Sequence, residues 1–194
     1  MMHTSPERLE ALYREGDDPW RFRSSPYEHA RLAAVARSLP RARYASALEI
    51  GCGNGELARR IAPRCESYLG VDAVETALEA ARRAVPAARF ERLFLPDALP
   101  DGPGGAPHDL ILLSEVLYFL DEDGIADLAR QIDGRWPKAD VICCTWLGPS
   151  GNALEGPDAL DRFRRASTRG FRRLPAGDGE ADGYRLDLAG EAPC

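Results

Sequence analysis

Three glycines alternate with other residues directly after an apolar run, in the segment Gly51-Cys-Gly-Asn-Gly55. Glycine allows tight backbone angles and carries no β-carbon, so a ligand can lie directly against the main chain of such a turn. Glu49 stands two residues before the turn, and Asp72 closes the next apolar run. A carboxylate at the end of the second strand of a nucleotide-binding unit accepts hydrogen bonds from ribose hydroxyls. Together, the turn and the acid indicate a nucleotide-like ligand.

The spacing of the glycines separates this segment from two widespread phosphate-binding motifs. The dinucleotide fingerprint, Gly-x-Gly-x-x-Gly, would require glycine at position 56, where this chain has Glu56. No Gly-Lys-Ser/Thr follows, so the segment is not a P-loop. Both features also have purely structural explanations: the glycines can form an ordinary strand-to-helix connection, and Asp72 can cap a helix that begins at Ala73.

Alternating short apolar runs and helical stretches from Tyr44 onward predict β-α-β units, which place these residues at strand ends. Strands are predicted at 47–50, 68–71, 90–95, 110–113 and 141–144, and helices at 56–62, 73–85, 122–134 and 156 to about 168. The runs 171–174 and 184–188, joined by a turn at 176–183, predict an antiparallel hairpin at a sheet edge. The expected fold class is α/β: a doubly wound, Rossmann-like sheet of seven strands, mostly parallel with an antiparallel C-terminal strand, and helices on both faces.

Composition excludes several kinds of partner. The net charge of -6 argues against nucleic acid. The start of the chain has no apolar core of a secretory signal, and the apolar run at 110–120 is too short to span a bilayer, so we expect a cytoplasmic protein with no membrane partner. Five cysteines without Cys-x-x-Cys spacing predict reduced thiols and no metal site. Adjacent Cys143 and Cys144 should point to opposite faces of a strand.

The pattern Glu49-x-Gly51-x-Gly53-x-Gly55 with Asp72 resembles the S-adenosylmethionine site of class I methyltransferases. Further segments are similar to the NodS-like subgroup, which includes nodulation N-methyltransferases that methylate the free amine of a chitooligosaccharide-derived amino sugar. These segments are Asp18-Pro-Trp20, Ser25-Pro-Tyr27-Glu28, Ser114-Glu-Val-Leu-Tyr118-Phe-Leu120, Trp146-Leu-Gly148 and Tyr184-Arg-Leu-Asp187. The resemblance spans roughly residues 9 to 188. It implies S-adenosyl-L-methionine as cofactor and a small-molecule acceptor.

The resemblance also implies where the cofactor lies. The backbone of Gly51–Gly53 should contact its methionine part, Asp72 its ribose, and Phe94 and Leu95 its adenine. The chain departs from the family pattern at Phe94, where methyltransferases commonly carry an acid, and Asp97 is a possible substitute. The full set of implied cofactor-binding residues is Trp20, Tyr27, Glu49, Gly51, Cys52, Gly53, Asp72, Ala73, Phe94, Leu95 and Ser114.

Glu115 and Tyr118 follow the predicted fourth strand and are the candidate catalytic residues. Methyl transfer from a sulfonium is an in-line displacement, so the acceptor lone pair must be held opposite the sulfur and unprotonated. An acid and a phenol there can accept hydrogen bonds from an amine, orient it and help remove its proton. In the alternative interpretation, Glu115 caps a turn or pairs with an arginine, and Tyr118 packs in the core.

The N-terminal segment contains three aromatic residues outside the sheet pattern, Trp20, Phe22 and Tyr27. They predict a lid over the site, although they could instead fix this segment to the rest of the domain. We therefore expect a single domain, 1–194, with a helical lid segment at 1–43 and a catalytic core at 44–194. Residues 30–39 should form a helix that Pro40 ends.

The predicted function is methyl transfer to an amine of a small molecule, such as an amino sugar. A small-molecule O-methyltransferase is the nearest alternative, but it would need a stronger base or a metal. His29 is the histidine best placed to assist, and a helix-surface role is the simpler explanation for it. A third possibility is a cofactor-binding subunit without catalysis. The sequence makes no prediction of the oligomeric state.

Overall fold

The computed structural model describes residues 9–11, 13, 16, 18–175 and 183–190. Within them the strands are β1 (Tyr44–Ile50), β2 (Cys65–Asp72), β3 (Arg89–Arg92), β4 (Leu110–Ser114), β5 (Asp140–Trp146), β6 (Arg172–Leu174) and β7 (Tyr184–Ala189). They form one sheet in the order β3-β2-β1-β4-β5-β7-β6. Neighbouring strands from β3 to β5 are parallel, and β7 is antiparallel to both β5 and β6. The predicted fold class is confirmed.

The described helices cover both faces of this sheet. They are α1 (Pro26–Arg37), α2 (Ala58–Ile61), α3 (Glu75–Ala84), α4 (Glu122–Arg135) and α5 (Gly156–Ala166). Local signals explain where two of them begin: Ser25 Oγ accepts a hydrogen bond from the N–H of Glu28 with Pro26 in the first turn, and Asp121 accepts one from Gly124. In the part of the chain that the structure describes, none of the helices combines the length and apolar character that a bilayer crossing needs.

Alternate residues of the central strands pack into two hydrophobic cores, one on each face of the sheet. Along β1, Ala47 packs with residues of α1 to α3, whereas Leu48 and Ile50 pack with residues of α4 and α5. In β5, Cys143 belongs to the second core and Cys144 to the first, as the strand period predicts. The order of strands reverses between β1 and β4, so the crevice at their carboxyl ends is where a doubly wound sheet binds ligands.

Two element boundaries differ from the sequence prediction. β3 ends at Arg92 rather than at position 95. It is an edge strand whose partner, β2, ends at Asp72 opposite Arg92, so no neighbour remains to extend the ladder. α1 begins at Pro26 rather than at position 30, because Ser25 and Pro26 form a helix start. The predicted turn at 176–183 lies outside the described residues except for position 183.

Candidate active site

The glycine turn after β1 requires glycine for two separate reasons. Gly51, Gly53 and Gly55 have φ values of 80°, 51° and 81°, a region that other residues rarely adopt. A β-carbon on Gly51 would also lie 2.7 Å from the carbonyl oxygen of Ser114, and one on Gly55 would lie 2.9 Å from the Cα of Ala81. The turn is therefore packed between the end of β4 and helix α3, and a side chain at either position would displace it.

Asp72, at the end of β2, holds the glycine turn from the side. Its Oδ2 accepts a hydrogen bond from the N–H of Gly53 at 2.8 Å, and its Oδ1 accepts one from the N–H of Val74 at 3.0 Å. Burial raises the pKa of this carboxyl, and the backbone donors lower it. The residue thus fixes the turn before α3, but it does not cap a helix that begins at Ala73, because the helix begins at Glu75 with Val74 at the N-cap and no side-chain cap. A carboxylate oxygen can accept more than one hydrogen bond, so acceptor capacity remains for ribose hydroxyls.

One cavity of about 640 Å³ lies against this turn. All the cofactor and catalytic residues proposed from the sequence line it. These are Trp20, Tyr27, Glu49, Gly51, Cys52, Gly53, Asp72, Ala73, Phe94, Leu95, Ser114, Glu115 and Tyr118. Phe94 and Leu95 reach it from the loop after β3. Asp97 is exposed and does not line it, so the structure gives no support to Asp97 as a partner for adenine.

Glu49 is a buried acid in the wall of the cavity, with 1% of its surface exposed. Its Oε2 accepts a hydrogen bond from the hydroxyl of Tyr68 at 2.6 Å, and its Oε1 has no partner among the described residues. Burial raises the pKa of Glu49 from its usual value near 4.5 to about 8. A buried carboxyl with a missing donor is suited to a ligand that brings a positive charge or an N–H group.

Glu115 has the unusual backbone angle φ of 55°, which turns its side chain into the cavity wall at the end of β4. Its Oε1 accepts hydrogen bonds from Arg31 Nη1 at 3.2 Å and from Cys144 Sγ at 3.5 Å. Its Oε2 accepts from the N–H of Trp146 at 2.6 Å and from the hydroxyl of Tyr118 at 3.2 Å. Burial raises the pKa of Glu115, and Arg31 lowers it. Glu115 therefore pairs with an arginine and also faces the cavity.

Arg31 and Glu28 are site residues that sequence reasoning missed. Both line the cavity from α1, and the side chain of Arg31 is only 4% exposed. Nε and Nη2 of Arg31 donate to Oε2 of Glu28 at 3.0 and 2.5 Å. The signal was available in the sequence: Ser25-Pro-Tyr-Glu28 is a helix start, and residues three positions apart share a helix face.

The N-terminal segment covers the glycine turn with aromatic rings. The rings of Tyr13 and Trp20 pack edge to face with their centroids 5.4 Å apart, and the ring centroids of Trp20 and Phe22 are 5.8 Å apart. Oδ1 of Asp18 accepts hydrogen bonds from Asn54 Nδ2 at 3.0 Å and from the N–H of Phe22 at 2.8 Å. Asn54 belongs to the glycine turn, so this contact ties the segment to the site. Tyr13, whose ring is buried, was missing from the predicted set.

Tyr27 lies on another side of the cavity from this aromatic cluster. Its ring packs edge to face against Trp146 at 6.3 Å and Tyr184 at 6.1 Å. Its hydroxyl is buried and has no hydrogen-bond partner among the described residues. Pro149, Ser150 and Asn152 also line the cavity, from the loop after β5. The three aromatics expected to act together thus belong to two different walls.

The histidines do not contribute to the cavity as far as the structure describes them. His29 contacts the carbonyl oxygen of Arg23 and is exposed. His108 lies at the start of β4, at the opposite edge of the sheet, and contacts Ser46 Oγ at 2.8 Å. The placement of His29 agrees with the sequence interpretation, and His3 lies outside the described residues.

Acidic side chains outnumber basic ones in the cavity wall. Among the described residues that line it, the acids are Glu28, Glu49, Glu56, Asp72 and Glu115, and Arg31 is the one basic side chain. Two of these acids already contact Arg31. Glu56 also pairs with Arg59 and Arg60, and Glu49 keeps its proton up to about pH 8. The wall still contains more acidic than basic groups, which favours ligands that carry positive charge.

The model of the family Nodulation protein S (NodS) matches residues 6–129, well over half of the chain. The chain belongs to this family. The NodS protein of Rhizobium tropici is 32% identical over 117 residues, which cover 59% of this chain and 49% of the relative. The NodS protein of Sinorhizobium fredii strain NBRC 101917 / NGR234 is 29% identical over 161 residues, covering 81% of this chain and 69% of that protein. The chain thus spans about half the length of the first relative.

A solved structure also resembles this NodS-family chain over nearly its whole length. It is the N-methyltransferase NodS from Bradyrhizobium japonicum WM9 in complex with S-adenosyl-L-homocysteine. The TM-score is 0.74 with 21% sequence identity, and the match covers 96% of each chain. At this identity the likeness shows a shared fold.

Proposed function

We propose that this protein is an S-adenosyl-L-methionine-dependent methyltransferase that acts on the nitrogen of a small molecule, an amino sugar or a similar amine. The observation that carries the proposal is one cavity in which a bare glycine turn meets five acidic residues and one arginine. A cofactor with a positively charged sulfur and an acceptor that enters as an ammonium ion both suit that charge.

The residues of the cavity fit the proposed cofactor. Asp72 retains acceptor capacity for the ribose, and the backbone at Gly51–Gly53 presents no side chain to the methionine part. The unpaired Oε1 of Glu49 would receive a donor that the protein itself does not supply. Phe94 and Leu95 offer apolar surface for adenine. When bound, the cofactor would supply a methyl group on a sulfonium, whose sulfur leaves as a neutral thioether when the acceptor nitrogen takes the methyl group.

The protein's own residues would orient the acceptor and exclude water. Glu115 and Tyr118 stay the proposed catalytic residues, because both line the cavity and their oxygens lie 3.2 Å apart. The aromatic rings of the N-terminal segment would cover the bound cofactor. In this proposal 1–43 is the lid, 44–194 is the catalytic core of a single domain, and the protein acts in the cytoplasm.

The relatives support the chemistry. The Bradyrhizobium japonicum WM9 protein, which shares the fold, is an N-methyltransferase that binds S-adenosyl-L-homocysteine. This chain carries Phe94 where methyltransferases commonly have an acid, and Thr145 where NodS-like proteins often have a histidine. These two differences argue against transferring the acceptor of those proteins to this chain. We therefore infer a small-molecule amine and no particular sugar.

Calorimetric titration with S-adenosyl-L-methionine is the first test, and we expect binding at one site. Release of S-adenosyl-L-homocysteine is then measured with D-glucosamine, ethanolamine and benzylamine, each beside its hydroxyl counterpart: D-glucose, ethylene glycol and benzyl alcohol. Methylation of amines alone supports the proposal. Methylation of the hydroxyl compounds would make the protein an O-methyltransferase, and binding without any transfer would favour a non-catalytic subunit.

A further inference from the structure

Two carboxylates and one guanidinium form a network in the wall built by α1 and the ends of β4 and β5. Arg31 contacts Oε2 of Glu28 through Nε and Nη2, and Oε1 of Glu115 through Nη1 at 3.2 Å. The side chains of Arg31, Glu28 and Glu115 are 4%, 14% and 18% exposed. A planar guanidinium holds its partners in fixed directions. Arg31 therefore fixes two carboxylates that come from distant parts of the chain.

The acceptor capacity of Glu115 is already used. Each of its two oxygens accepts two hydrogen bonds, from Arg31 and Cys144 at Oε1 and from Trp146 and Tyr118 at Oε2. A carboxylate has about four acceptor positions. In this arrangement Glu115 holds Arg31, Tyr118 and the N–H of Trp146 around the acceptor, and the proton that leaves the acceptor nitrogen needs a different oxygen.

Glu28 has such an oxygen. Both contacts from Arg31 go to Oε2, and Oε1 accepts no hydrogen bond from the described residues. The neighbouring hydroxyl of Tyr27 is buried and also has no partner among them. Tyr27 and Glu28 both line the cavity from one turn of α1, and Oε1 of Glu28 is the carboxylate oxygen there that stays unpaired within the described protein.

The chemistry of this turn matches an ammonium group better than a hydroxyl. An ammonium carries three donors and no acceptor, and it adds one positive charge to a network of two acids and one base. A hydroxyl brings a single donor and no charge. Arg31 is the one basic side chain among the described lining residues, and it is already paired twice, so little opposes a second cation.

We propose that Glu28 binds the ammonium group of the acceptor through Oε1 and takes its proton, with Arg31 as the positioning residue that orients Glu28. This inference rests on the proposed methyl transfer to an amine. One proton moves from the nitrogen to Oε1, which turns an ammonium and a carboxylate into a neutral amine and a carboxylic acid. The electron pair of the broken N–H bond stays on nitrogen and forms the new N–C bond, while the C–S bond to the methyl group breaks and its electron pair stays on sulfur, so the product is a methylated ammonium. The proton on Glu28 passes to solvent after the product leaves.

Binding to the protein saturated with S-adenosyl-L-homocysteine tests the inference without turnover. The probes are D-glucosamine, ethanolamine and benzylamine and their hydroxyl counterparts, titrated by calorimetry. We expect wild type to bind at least one amine more tightly than its counterpart, and Glu28→Gln to weaken that amine by about tenfold or more. Affinity for S-adenosyl-L-homocysteine should stay within about threefold. Glu79→Gln, on the exposed side of α3, removes the same charge and should change neither affinity.

Three further variants, one at Glu28 and two at Arg31, test the inference if Glu28→Gln does not fold. Glu28→Asp keeps the charge but draws the carboxylate back by one methylene, and it should still weaken amine binding by about tenfold. Arg31→Met should lower amine affinity and Arg31→Lys should restore part of it, since lysine keeps the charge without the fork. Binding of the hydroxyl compounds should not follow these changes, which separates positioning from general loss of structure.

Wild-type affinity for amines in both Glu28 variants would overturn the inference, as would amines that bind wild type no better than their hydroxyl counterparts. If methyl transfer proceeds normally in those variants, only the role of Glu28 is lost. If S-adenosyl-L-methionine does not bind the wild-type protein at all, the proposed function fails and this inference fails with it.

Discussion

Oδ2 of Asp72 accepts the N–H of Gly53 at 2.8 Å, which joins the end of β2 to the turn after β1. The sequence suggests that these two features recognise different parts of one ligand. The structure shows in addition that each fixes the other's position. Damage to the turn should therefore also disturb the carboxylate.

Gly53→Val should abolish binding of S-adenosyl-L-methionine. A β-carbon at this position would have room, since the nearest atoms are the hydroxyl oxygen of Tyr13 at 3.6 Å and Cε2 of Phe22 at 3.8 Å. The φ of 51°, however, would strain a β-branched residue by about 1–3 kcal/mol. The turn would then shift and lose its bond to Asp72. Calorimetry gives the affinity. Gly104 has a similar φ of 66° in an exposed turn away from the cavity, so the Gly104→Val variant should bind S-adenosyl-L-methionine with wild-type affinity. Equal affinity in both variants would contradict the prediction.

Glu49 should make the protein less stable as pH rises. Burial raises its folded pKa to about 8, so the folded state keeps a proton that the unfolded state releases above about 4.5. Relative to Glu49→Gln, the wild-type free energy of unfolding should fall between about pH 5 and pH 8, by at most about 1.4 kcal/mol per pH unit. Denaturant titrations across this range measure the difference. Glu79→Gln should follow wild type, and parallel curves for wild type and Glu49→Gln would refute the prediction.

Glu115→Ala should leave S-adenosyl-L-methionine affinity within a few-fold and lower turnover by about a hundredfold. The change removes the acceptor shared by Arg31, Tyr118 and the N–H of Trp146. Glu115→Gly is the matched variant, because glycine adopts φ of 55° without strain. It should be equally slow but about 1 kcal/mol more stable than the alanine variant. Wild-type turnover in either variant would remove Glu115 from the mechanism.

Asp18→Asn should let the cofactor leave faster. The carboxylate oxygen that accepts from Asn54 and from the N–H of Phe22 joins the N-terminal segment to the glycine turn. Loss of its charge weakens both contacts, and we expect dissociation to quicken by about three- to tenfold. Stopped-flow measurement of tryptophan fluorescence follows this step, since Trp20 and Trp146 both line the cavity. Asp123→Asn, an exposed change on α4, is the control. Unchanged dissociation would show that the segment does not act as a lid.

Much of the fold could be predicted from the spacing at which apolar residues recur along the sequence. The alternation of apolar runs and helical stretches predicted the parallel strands. The adjacent residues Cys143 and Cys144 lie on opposite faces of the sheet, as expected. Boundaries were less predictable where an element depends on its neighbour. β3 has apolar residues up to position 95, yet it stops where β2 stops pairing with it. That limit is a property of the sheet and not of the segment.

In the candidate site, too, some residues could be predicted from local sequence and others depend on the fold. Motif residues such as Asp72 and Glu115 line the cavity, because strand ends converge at one edge of the sheet. Arg31 was not predicted, since its spacing from Glu28 does not show that its side chain will be buried. Its burial depends on Glu28, within the same helix, and on Glu115, which is 84 positions away in the chain. The partnership with Glu28 was readable from helix spacing, whereas the one with Glu115 required the fold.

The first turn of α1 carries Tyr27, Glu28 and, one turn on, Arg31, and all three reach the cavity while the sheet supplies the glycine turn and Asp72. In the proposed mechanism, α1 contributes Glu28 and Arg31 to recognition of the acceptor, whereas the turn after β1 and Asp72 contact the methyl donor. Exchange of six or so residues between related proteins could redirect which amine is modified while the machinery that delivers the methyl group stays intact.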